Sequence, residues 1–132
     1  LRNLFMITYQ LDKLLMKFSI QANGVYNVYV RWVANKKYDA PAAFSITSSD
    51  YFLDTNSGVV STTYSTSSLE LDQRTNGNIW VFAGRFTSVG GAGSLVIKLS
   101  NFNGDVNTDG VRFVKLADYP PPCDPATGIG CR

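Results

Sequence analysis

The chain has 132 residues, 45 % of them hydrophobic and 17 % charged, with a formal net charge of +2. That length suits one domain with a real core, and so small a charge, spread over twelve scattered Lys and Arg, argues against a nucleic-acid partner. Histidine is absent, which removes the commonest general base and metal ligand and speaks against an enzyme, and no apolar run approaches the roughly 20 residues of a membrane span.

Residues 1–20 carry two patterns. Leu4, Ile7, Leu11, Leu14 and Phe18 recur at helical intervals, yet Phe5, Ile7, Tyr9 and Leu11 alternate, as do Leu14, Met16, Phe18 and Ile20. With no capping residue before Leu4 and a turn-like Asp12-Lys13 between the alternating runs, two strands are the preferred reading. Asn23-Gly24 then tolerates the positive φ of a tight hairpin turn, which predicts that the next strand pairs with the one before it. That strand places Tyr26, Val28, Val30 and Trp32 on a core face, and Asn27, Tyr29 and Arg31 on the other.

A loop follows from Ala34 to Pro41, and Ala42 to Thr47 alternates as a short strand. Ser48-Ser49-Asp50 and Asp54 to Gly58 read as turns. Val59 to Thr66, rich in β-branched and hydroxyl residues, suits a solvated strand face, and Leu69 and Leu71 a short edge strand. After a turn at Thr75 to Asn78, the strand Ile79 to Phe86 is expected to place Trp80, Phe82 and Phe86 on its core face, with Val81, Ala83 and Arg85 opposite. Gly84 on the Trp80 face would admit a large neighbour. Gly90 to Gly93 breaks the chain before Leu95, Ile97 and Leu99; a polar loop from Asn101 to Asp109 leads to a last strand with Val111, Phe113 and Leu116.

Seven to nine short strands separated by turns make an all-β antiparallel sandwich over residues 1–116, in which residues 1–11 could be an edge strand or a strand donated to another copy. Residues 117–132 form a Pro/Gly tail holding Cys123 and Cys131. A disulfide within so small a loop would suit an oxidising compartment; reduced thiols and a bridge to another chain are the alternatives. A single cysteine pair without histidine is a poor zinc site.

With these strands placed, four segments carry a resemblance: Gly24 to Trp32, Gln73 to Phe86, Gly93 to Asn101, and Asp109 to Val114. Over residues 14–116 the chain resembles the Golvesin/xanthan-lyase carbohydrate-binding-like domain family. The resemblance implies a jelly-roll-like β-sandwich on a secreted or cell-surface protein, without catalysis of its own. The stretch from Tyr51 to Leu69 is long for that family.

Asp105-Val106-Asn107-Thr108-Asp109-Gly110 matches the start of a calcium loop, in which alternate oxygen side chains converge on one hard cation. The twelfth position, which should supply a bidentate carboxylate, is Leu116, so an ordinary polar loop is the better reading of Asp105, Asn107 and Asp109. Calcium is the one cofactor to consider. Sugar sites stack pyranose faces on exposed aromatic rings beside polar groups, and Tyr29, Arg31, Tyr38, Tyr51 and Tyr64 are the candidates, each weighed against an ordinary surface role. Trp32 and Trp80 are assigned to the core. No Gly-x-Ser-x-Gly elbow, selected carboxylate pair or phosphate loop occurs. Two functions are therefore expected. One is a non-catalytic extracellular module binding polysaccharide; the other is a structural subunit that joins identical subunits into filaments by strand addition through residues 1–11.

Overall fold

The computed structural model describes residues 3–4, 7–10, 15–31, 42–71, 79–100 and 110–131. These contain nine strands: β1 (Asn3–Leu4), β2 (Ile7–Gln10), β3 (Leu15–Ile20), β4 (Gly24–Arg31), β5 (Ala42–Asp54), β6 (Val59–Leu71), β7 (Val81–Ser88), β8 (Leu95–Ser100) and β9 (Gly110–Ala117). They form two antiparallel sheets, ordered β1-β9-β4-β7 and β2-β3-β8-β5-β6. From β3 onward the chain changes sheet at every connection except the β5–β6 hairpin, the alternation of a jelly roll. Among the described residues there is no helix long and apolar enough to cross a membrane.

The inner faces follow from period-two patterning. Tyr26, Val28, Val30, Val111 and Phe113 from one sheet meet Phe18, Ile20, Phe44, Ile46, Leu95 and Ile97 from the other, all buried. Each such side chain contributes about 1.5–3 kcal/mol on burial. Tyr26 keeps its hydroxyl satisfied by donating to the Ala22 carbonyl at 2.9 Å. Its phenol pKa is raised, chiefly because burial disfavours the anion.

The described residues of the first twenty, 3–4, 7–10 and 15–20, are in strands, as alternation suggests. β2 pairs with β3 from Ile7↔Phe18 to Gln10↔Leu15, and β1 pairs with β9 in the opposite sheet. The N-terminal segment thus contributes to both sheets of its own chain.

Three local expectations give way to tertiary structure. Asn23-Gly24 does not close a hairpin: β3 and β4 lie in different sheets, so this dipeptide carries the chain from one layer to the other. Gly24 is needed for space; a Cβ there would meet Lys115 Cε and Tyr26 Cε2 at 3.0 Å and the Ala117 carbonyl oxygen at 3.1 Å. Ser48-Ser49-Asp50 is not a turn, because β5 runs through it. Ser49 is buried there, its hydroxyl accepting from Val89 N–H at 2.9 Å and its carbonyl from the Thr87 hydroxyl at 2.7 Å, so long-range bonds override turn propensity. Leu69 and Leu71 belong to β6 itself and do not form a separate strand. The Asp54–Gly58 turn forms as expected, with Gly58 N–H donating to the Asp54 carbonyl at 2.7 Å. Trp32 lies outside the described residues.

Candidate functional site

The largest departure from simple alternation is in β7. Val28 pairs with Gly84 but Tyr29 pairs with Phe82, so Ala83 is an extra residue opposite β4, a β-bulge. Gly84 has a φ of +141°, which side-chain-bearing residues rarely adopt, and the Phe86 ring lies where its Cβ would be. The bulge reverses which residues face inward. Val81, Ala83 and Phe86 pack against the core, whereas Trp80 is 38 % and Phe82 55 % exposed. The expectation that Trp80 and Phe82 are core residues is therefore corrected: a strict period of two cannot pass through a bulge.

The outward residues meet Tyr29 and two arginines. β4 presents Tyr29 and Arg31 between Phe82 on β7 and Arg112 on β9, with Tyr29↔Phe82 and Tyr29↔Arg112 in register. The Tyr29 and Phe82 rings approach edge-on, with centroids 5.5 Å apart at 61°. The Arg112 guanidinium carbon lies 5.9 Å from the Tyr29 ring and 6.0 Å from Trp80, and that of Arg31 lies 5.9 Å from Trp80. The indole reaches across β4 towards Gly110, where a Cβ would sit 3.4 Å from its Cη2. Further along the same face Arg85 Nε donates to Asn27 Oδ1 at 3.4 Å. The outcome is a ridge of aromatic rings among guanidinium groups. Planar apolar rings can stack on such rings while the N–H donors hold oxygen substituents.

Tyr29 and Arg31, both predicted, are brought together here; Trp80, Phe82 and Arg112 join them. Gly84 is the signal that could have found the missed aromatics, since glycine inside a strand marks a bulge as readily as a close approach. Tyr64 is 59 % exposed but stands on β6, in the other sheet. Tyr38, Asp105, Asn107 and Asp109 lie outside the described residues.

Tyr51 has a different task at the opposite end of the four-stranded sheet. Its ring stacks on Tyr119 at 5.4 Å and 19°, and its hydroxyl donates to the Val89 carbonyl at 3.3 Å and accepts from Asn23 Nδ2 at 3.2 Å. Asn23 Oδ1 also takes the Tyr119 N–H at 2.7 Å, and the Tyr119 hydroxyl donates to Asp50. That bond to Asp50 is the main reason the Tyr119 pKa is pushed up to about 12. The tail beyond is closed by a Cys123–Cys131 disulfide with Cα atoms 4.7 Å apart. Buried Asp124 organises its loop, accepting from Ala126 N–H and the Thr127 hydroxyl, both at 3.0 Å. Ile129 lies against the Gly58 turn, where its Cδ1 would be 2.6 Å from a Cβ at Gly58. These contacts make Tyr51 a fastener of the tail, which accounts for its position without a ligand.

No family model matches the chain, and comparison with curated proteins and with solved structures yields no match.

Proposed function

We propose that this chain is a non-catalytic, extracellular carbohydrate-binding-like module that holds a polysaccharide on the outer face of its four-stranded sheet. One observation carries the reading: the bulge at Ala83–Gly84 turns Trp80 and Phe82 outward beside Tyr29, where burial would have been the default for rings of this size. The rings supply stacking and the arginines supply donors, a combination that binds a sugar without breaking a bond. Membership of the Golvesin/xanthan-lyase carbohydrate-binding-like family is part of the proposal. Three of the four segments that carry that resemblance contribute to this face: Gly24 to Trp32, Gln73 to Phe86, and Asp109 to Val114. The disulfide fits an oxidising compartment such as the cell exterior.

Affinity electrophoresis against a panel of soluble polysaccharides tests the reading. The chain should be retarded by at least one polymer, and Trp80→Ala should weaken that binding by about tenfold or more while leaving the fold intact. If no polymer retards the chain, or if Trp80→Ala binds as well as the parent, the reading fails. Assembly of identical subunits by donation of residues 1–11 is the less favoured reading, because β1 and β2 would first have to leave the sheets they complete in their own chain.

A further inference from the structure

We propose that this chain pairs with a second copy of itself along the free edge of β6, antiparallel and about a two-fold axis at Tyr64, so that two five-stranded sheets join into one. The sugar-site reading concerns the other sheet and neither supports nor needs this contact.

β6 is the last strand of its sheet, and among the described residues only β5 pairs with it. Leu69 and Leu71 near its end pack against the core, but residues 61–68 are all exposed. Successive side chains of a strand point to opposite faces, so this stretch shows solvent both faces as well as one edge. β5 is fastened alongside by the bonds of Ser49 and Tyr51 to Thr87 and Val89. Edge strands are ordinarily blunted by lysine, proline, a bulge or shortness. β6 has 13 residues, its ladder with β5 runs without a shift, and from Val59 to Leu69 there is no charged residue, proline or glycine. Its outer edge therefore offers backbone N–H and C=O groups in step for another strand.

The sequence of β6 points to a second copy as that strand. Reading outwards from Tyr64, Thr63 answers Ser65, Thr62 answers Thr66 and Ser61 answers Ser67. A two-fold axis at Tyr64 thus sets like against like: Thr63 against the partner's Ser65, Thr62 against the partner's Thr66, and the two Tyr64 rings against each other. Val59, which is 60 % exposed, comes against the partner's Leu69. Hydroxyl residues already pair in this way on the other side of β6, where the Thr66 and Thr47 hydroxyls lie 2.9 Å apart. Because Val59 to Leu69 is uncharged, no like charges meet. Both copies use the same edge, so the assembly closes at two.

Sedimentation equilibrium of the full chain tests the proposal. The mass should rise with concentration to twice the 14.5 kDa of one chain and no further. Thr63→Lys/Ser65→Lys sets lysine against lysine at two places across the axis and should weaken self-association by about a hundredfold or more. Thr63→Glu/Ser65→Glu should do the same. An equal mixture of these two variants should recover a dimer, which a folding defect in either would not allow. Thr8→Lys/Gln10→Lys, on β2 at the opposite edge of the same sheet, should leave the dimer intact. A chain that stays monomeric at about millimolar concentration overturns the proposal. It is equally overturned by assemblies larger than two, by a dimer that survives the lysine pair on β6, by loss of the dimer in the β2 variant, or by a mixture of the charged variants that stays monomeric.

Discussion

The two sheets share one core but show solvent different chemistry. The outer face of the five-stranded sheet displays Lys17, Ser19, Ser45, Thr47, Thr66, Ser68 and Lys98, and its β5–β6 pairing runs from Ala42↔Leu71 to Asp54↔Val59 without a shift. A regular ladder of this kind pairs hydroxyls across strands, as Thr47 and Thr66 do at 2.9 Å. The outer face of the four-stranded sheet displays Tyr29, Trp80, Phe82 and arginines, and β4 is flanked there by shifts on both sides, at Val28/Tyr29 against β7 and at Val25/Tyr26 against β9. Regular pairing also leaves Phe52 and Tyr64 exposed on the β5–β6 ladder. Only the bulge in β7, however, brings outward rings beside Tyr29 and the arginines, which is why the irregular sheet is the one taken to offer a site.

The comparison can be broken first through what the faces have in common. Phe113 is fully buried and meets Tyr26 edge-on at 6.3 Å, so Phe113→Ala should cost about 3–5 kcal/mol in urea unfolding. Thr66→Ala, on the hydroxyl ladder, should stay within about 0.5 kcal/mol. Similar losses for both would mean that the core is not where these contacts place it.

Gly84→Val addresses the difference between the faces directly. A β-branched residue at φ +141° is strained, at a cost of about 1–3 kcal/mol, and relief requires β7 to change its register against β4. Polysaccharide binding should fall further than the loss of stability explains, because Trp80 and Phe82 depend on the bulge for their outward position. A variant that is destabilised yet binds normally would separate the bulge from the site.

The smallest effect concerns the fastened tail. The Tyr119 phenol titrates above the ordinary value of about 10, so the protonated form is favoured in the folded chain. The stabilisation from its bond to Asp50 is complete below about pH 10 and fades as the pH rises towards about 12. Ultraviolet titration of the tyrosines should show late titration from Tyr26 and Tyr119, of which Tyr119→Phe removes one step, accompanied by faster hydrogen exchange in residues 124–131 of the variant. An unchanged late step would assign it to another tyrosine.

Much of this fold was legible because burial enforces period two wherever pairing is regular. Tyr26, Val28 and Val30, Ile97, and Val111 and Phe113 all face inward as alternation suggests, and Tyr29 and Arg31 emerge as surface residues by the same rule. Asn23-Gly24 misled because the dipeptide that closes a hairpin also suits a crossing between layers, and only the pairing distinguishes them. Ser48 to Asp50 misled because the bonds that keep it extended come from Thr87 and Val89, distant in sequence. Half of the candidate face was hidden by a single inserted residue. Gly84 was visible, but the parity reversal it permits depends on how β7 pairs with β4.

The most direct test of the central claim is a residue-resolved nuclear magnetic resonance titration of the chain with a polysaccharide that retards it in affinity electrophoresis. Shifts should concentrate on the Trp80 indole N–H, Tyr29, Phe82 and the guanidinium groups of Arg31 and Arg112, while Lys98, Thr66 and Tyr64 stay unmoved. Shifts centred on the hydroxyl-rich sheet or on the disulfide-closed tail, with the Trp80 indole unchanged, would contradict the account.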